Sequence, residues 1–110
     1  MFKKLLSAWD DWTGDHYLKV AIQRELRRQG LAVQQSATRD VQLIAIERPG
    51  WVQVRSFYVE TYDQEKQPVT VLGLARDDGR QEKIDVLLTD RVAEFEQRRE
   101  EWSEGLIRRR

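Results

Sequence analysis

The sequence predicts an α+β domain: a four-stranded antiparallel β-meander flanked by two N-terminal helices and one C-terminal helix. Three observations carry that expectation. Four runs rich in β-branched and aromatic residues fall between Val41 and Leu88, and their short polar connections suit antiparallel neighbours. Apolar residues at helical spacing flank that block on both sides. The inner runs are apolar on both faces: Phe57 and Val59 alternate with Val52, Val54 and Tyr58, and Leu72 and Leu74 alternate with Val69 and Val71. A sheet with one wet face alternates cleanly, so the second face here needs cover from a helix of this chain, a second copy or a partner.

The first helix is expected from Phe2, Leu5, Leu6, Trp9 and Trp12, with Lys3, Lys4, Asp10 and Asp11 on the opposite side. Thr13-Gly14-Asp15 interrupts it, although Ser7 with Asp10 offers a competing capping-box start. A second helix follows over 16–29, with Leu18, Ala21, Ile22 and Leu26 as its stripe. Arg24, Arg27 and Arg28 suit the negative end of its dipole, and Gly30 suits the position just past its end. Residues 33–40 are polar and read as a connector.

Strands are expected over 41–48, 51–62, 69–76 and 80–88, with Pro49-Gly50 turning between the first two. Asp77-Asp78-Gly79 marks the last hairpin. A two-residue turn places Val71 across from Val86 and Gly73 across from Ile84, whereas a three-residue turn places Leu72 across from Ile84; the two registers bury different faces. Thr89 or Asp90 is expected to cap a last helix whose buried side is Val92, Phe95 and Trp102, with Leu106 continuing the spacing and Glu94 and Arg98 pairing across one turn. Gly105 ends it, Leu106 and Ile107 fold back or dangle, and 108–110 read as a frayed basic tail of a single domain over 1–110.

Composition narrows the function classes. Charged residues make up 35% of the chain but the formal net charge is zero, so no global field draws it to nucleic acid or an anionic membrane. Cysteine is absent, which removes disulfides, thiolate metal sites and a cysteine nucleophile. No apolar run reaches the ~20 residues that span a bilayer. The run after Met1 stops at Asp10 without a small-residue cleavage site, so the expected location is cytoplasmic.

No motif specifies a reaction. His16 is the single histidine and sits where a helix N-terminus disfavours the imidazolium. Asp77, Asp78, Glu82 and Asp85 crowd one hairpin without the spacing of a calcium loop, and Arg76, Arg80 and Lys83 stand beside them. No glycine loop for phosphate and no nucleophile elbow is present, so no catalytic residue, cofactor or metal is expected. The order helices, four strands, helix resembles small secretion-chaperone and chaperone-like adaptor folds in topology alone.

The expected function is a non-enzymatic protein-interaction module, a homodimer or an adaptor for another protein. It would use an apolar sheet face made of Ile44, Ile46, Phe57, Val59, Leu72 and Leu74, or an edge. The alternative is a small nucleic-acid-binding domain in which Arg48 and Arg55 hold phosphates and Tyr58 and Tyr62 stack on bases.

Overall fold

A computed structural model describes residues 16–47, 52–79, 81 and 83–108. Among them the elements run α1 (His16–Arg28), β1 (Ala37–Ile46), β2 (Val52–Tyr62), β3 (Pro68–Asp78), β4 (Lys83–Thr89), α2 (Val92–Ser103) and β5 (Ile107–Arg108). The strands form one antiparallel sheet in the order β4-β3-β2-β1-β5. The α+β class and the meander hold, but the expected four strands with three helices are corrected to five strands with two helices among the described residues. The expected first helix, with Trp9 and Trp12, lies outside those residues, as do Arg48, Trp51 and Arg109-Arg110.

The fifth strand is the return of the chain after Gly105. Its backbone adopts φ +80°, a left-handed conformation natural to glycine. Ile107 then pairs with Ile46 and Arg108 with Ala45. Arg108 is therefore a strand residue, tied to Glu100 at 2.8 Å, and not part of a frayed tail.

Each face of the sheet is covered by one helix of this chain, because Cβ direction alternates along a strand. On one face Leu18, Ile22 and Leu26 of α1 pack with Phe57 and Val59 of β2, Val71 and Ala75 of β3 and Leu88 of β4. On the other, Phe95 and Trp102 of α2 and Leu106 beyond it pack on Ile44, Ala45, Val54 and Leu74. That arrangement accounts for the strands that read apolar on both sides.

α1 ends as its sequence predicts. Gly30 has φ +76°, its N–H donates to the Arg27 carbonyl (3.0 Å), and the Leu31 N–H donates to the Leu26 carbonyl (2.9 Å). This is the two-bond Schellman closure, with Leu31 packed against the cluster that holds Leu26.

Several local expectations are corrected. β1 begins at Ala37, inside the segment read as a connector. Its polar start carries a bulge between Arg39 and Gln42, with Asp40 at φ 55°, so period-two patterning is broken there. Neither hairpin register holds: the β3–β4 ladder closes at Asp78↔Lys83 and places Gly73 across from Leu88. The ladder leaves four residues between Asp78 and Lys83, which slides β4 along β3 relative to either expected register. The N-cap of α2 is Arg91, whose N–H is accepted by the Thr89 hydroxyl (3.1 Å), so neither Thr89 nor Asp90 is the cap. Val92 is 64% exposed, since the first turn of α2 starts at the edge strand before the helix crosses the sheet. Glu94 pairs with Arg91 (3.0 Å) and Arg98 with Glu101 (3.2 Å), both at three-residue spacing, in place of the expected Glu94–Arg98 pair.

Candidate functional site

The six apolar positions expected on a partner-binding face divide between the two interiors. Phe57 and Val59 lie under α1, and Ile44 and Leu74 lie under α2, all buried. Ile46 and Leu72 are half-buried. The six do not form one surface, because the chain's own helices consume most of them.

The residues of the nucleic-acid alternative also separate. Tyr58 and Tyr62, four residues apart on β2, share one face, and Tyr58 stands across from Leu72 and from Arg39. Arg55 belongs to the opposite face, where its guanidinium donates to the Gln53 side chain (2.6 Å). Arg48 is outside the described residues.

The remaining candidates resolve into ordinary surface chemistry. His16 is exposed, and its ring meets that of Tyr17 edge-on with centroids 6.0 Å apart. Asp78 sits 3.7 Å from Arg76, and Asp85 sits 3.8 Å from Lys83. Among the described residues no group of three metal-ligating side chains converges, and no helix is long and apolar enough to cross a membrane.

What the fold leaves open is the outer edge of β4. Seven residues at the end of the sheet have a strand on one side only. The ladder decides which of their backbone groups face outward. Gln29, at the end of α1, donates from Nε2 to the Leu88 carbonyl (2.9 Å) from the outer side. In an antiparallel strand the N–H and C=O of one residue point the same way and alternate along the chain. Leu88, Val86 and Ile84 therefore present their backbone outward, and Lys83, Asp85, Leu87 and Thr89 present theirs to β3. Gln29 occupies the Leu88 position, so Ile84 and Val86 leave two donors and two acceptors without protein partners among the described residues.

The opposite side of the sheet is less regular. β5 covers β1 at Ala45 and Ile46, and two register irregularities deform the rest of β1. Bulges of this kind block edge-to-edge association.

A groove of about 550 Å³ runs beside the β4 edge, lined by Tyr17, Val20, Ala21 and Arg24 of α1 and by Asp77, Gly79 and Ile84. Tyr17 is 78% exposed. Tyr17 and Val20 carried no expectation from the sequence because they fall outside the α1 core stripe. The signal was their position on the flank of that stripe, meaningful only once β4 was known to be terminal.

Gln29 itself is held by a side-chain chain. Its Nε2 also donates to Glu25 Oε2 (2.8 Å), and Arg28 Nε donates to Glu25 Oε1 (2.8 Å). The hydrogen bond from Arg28 is the largest influence on Glu25 and holds its carboxyl below the usual carboxylate range, against the opposing effect of partial burial. Arg28 is correspondingly raised by Glu25.

Comparison of the chain with protein-family models, with curated proteins and with solved structures finds no match.

Proposed function

We propose that this protein is a non-enzymatic protein-interaction module that self-associates by pairing β4 with β4 of a second copy. The observation that carries the reading is the open edge: a regular strand with the backbone of Ile84 and Val86 facing outward beside an uncovered groove. Strand addition draws its affinity from such main-chain groups and its specificity from adjoining grooves.

The charges on the edge favour a second copy as occupant. In an antiparallel pairing about a two-fold axis through Ile84, Lys83 of one copy stands across from Asp85 of the other, twice. Opposite charges directly across a strand pair stabilise it, and like charges oppose it. This register also leaves the Gln29 cap on Leu88 intact. A two-fold axis through Asp85 would instead place two carboxylates across from each other.

The test is molar mass by light scattering from micromolar to millimolar concentration. A dimer is expected for the parent chain. Ile84→Pro removes the outward N–H at the two-fold axis without touching the β3 ladder, where proline is tolerated at an edge, and is expected to be monomeric with an unchanged circular dichroism spectrum. Lys83→Asp is expected to weaken the dimer and Lys83→Asp with Asp85→Lys to restore it. A parent chain that stays monomeric across the range refutes the proposal, as does a dimer indifferent to all these substitutions.

A further inference from the structure

A second concavity lies on the other flank of α1, away from the β4 edge. Lys19, Gln23 and Arg27 follow one another at four-residue spacing on one side of the helix, next to the core stripe of Leu18, Ile22 and Leu26. Facing them are the loop after α1 and the start of β1. Together they enclose an open cleft of about 620 Å³. A shallower depression continues from it past Arg27, Val33 and Gln34.

The chemistry of the lining is one-sided. The chain as a whole carries 19 basic and 19 acidic residues, yet the cleft is lined by Lys19, Arg27 and Arg39 and by no carboxylate. Lys19 and Arg27 have no ion-pair partner among the described residues, whereas the Arg39 guanidinium pairs with Glu60 (2.8 Å) on the sheet face opposite α1. Neutral hydrogen-bonding groups from Gln23, Gln34 and Thr38 stand between the cations, and Ile22, Val33 and Ala37 give an apolar floor.

The far wall is also fixed in place. The Thr61 hydroxyl donates to the Ala32 carbonyl (2.6 Å), the Ala32 N–H donates to the Tyr62 carbonyl (3.0 Å), and the Ser36 hydroxyl donates to the Val33 carbonyl (2.6 Å). Those bonds tie the loop to β2 and to itself. The wall opposite α1 is therefore in place before a ligand enters, which reduces the ordering cost of binding.

We infer that this cleft binds a phosphate-bearing small molecule of about nucleotide size. Arg27 offers a planar fork suited to a phosphate oxygen pair, and Lys19 supplies a mobile point charge. The volume falls in the range of small-molecule sites, and the apolar floor suits a ring or other carbon framework attached to the phosphate. The site shares no residue with the β4 edge, so the two proposals stand or fall separately.

The test is calorimetric titration of the full chain at low salt with ADP and with inorganic pyrophosphate. Saturable binding of ADP to one site per chain is expected, weakening as salt is added. Pyrophosphate binding as tightly as ADP assigns recognition to the phosphates alone; weaker pyrophosphate binding adds the apolar floor. Either supports the cleft. Arg27→Gln and Lys19→Gln are each expected to lower affinity about tenfold, the fold-change of one hydrogen bond to a charged group. Arg99→Gln, on α2, is expected to leave affinity within about twofold, as for a distant surface charge screened by water. No saturable binding at low salt overturns the inference. So does an equal loss in Arg99→Gln, which marks diffuse attraction, or binding confined to a single-stranded oligonucleotide with none to ADP.

Discussion

Gly73 offers a sharp test of the packing described above. It lies in the middle of β3, directly across from Phe57 on β2. A Cβ built at Gly73 would stand 2.2 Å from Phe57 Cε2 and 2.6 Å from both Cδ2 and Cζ. These atoms belong to a rigid ring that is 3% exposed and packed under α1 among Leu18, Ile22 and Leu26. Two effects compete in Gly73→Ala. Removing a glycine from a strand interior favours the folded chain by roughly 0.5–1 kcal/mol. Against it, the ring must leave its rotamer or push α1 outward, and overpacking of a filled core costs about 1–3 kcal/mol. A 2.2 Å contact is far inside van der Waals distance, so the clash wins and a net loss of about 1–2 kcal/mol is expected. Urea denaturation measures it, and Phe57→Leu supplies the control. In that background the ring is gone, and Gly73→Ala should cost nothing or stabilise, giving a coupling energy of roughly 1–3 kcal/mol. A neutral Gly73→Ala in the parent, or an equal cost in both backgrounds, would refute the claim that the ring occupies this space.

Phe57→Glu and Ile44→Glu would test a partner-binding sheet face, but both positions are interior. Each is expected to unfold the chain, read as loss of the cooperative thermal transition, because a buried unpaired carboxylate costs several kcal/mol or more. Leu74→Ala, at a side chain with no exposure under α2, is expected to lower stability by about 2–5 kcal/mol in urea. Gly30→Ala places a side chain at φ +76° and is expected to cost about 1 kcal/mol by the same measurement. Glu25 has its folded-state carboxyl lowered, chiefly by the Arg28 hydrogen bond, so its contribution is present above the unfolded carboxylate range and is lost as pH falls through the folded value. Between about pH 5 and pH 3 the parent should therefore lose more stability than Glu25→Gln, measured as the shift in urea midpoint. An identical pH dependence in the two proteins would remove Glu25 from the stability of the α1 end.

Much of the fold was legible because it is written in local periodicity. The α1 stripe of Leu18, Ile22 and Leu26, the Gly30 closure and the runs that became β2 and β3 all depend on neighbours within a few residues. The need to cover two sheet faces was also legible, since it follows from strands apolar at both odd and even positions. The occupants of those faces were not, because amphipathic stripes in the chain do not say which side of a sheet they meet.

Tertiary structure alone decided the rest. β5 is two residues long, too short to carry a period, and exists because Gly105 turns the chain back onto β1. The β1 bulge at Asp40 hid a strand in a polar stretch, and the β3–β4 ladder takes a register, closing at Asp78↔Lys83, that the turn dipeptide does not imply. The candidate surfaces have the same origin. Ile84 and Val86 look like any core strand residues until β4 is terminal, and Lys19 and Arg27 look like solvated charges until the loop beyond α1 is tied down opposite them. Composition and spacing determine which residues turn inward along each element. Only the order of strands and the path of the connecting loops determines which backbone edges and which charges are left without a neighbour, since those are properties of residues distant in the chain.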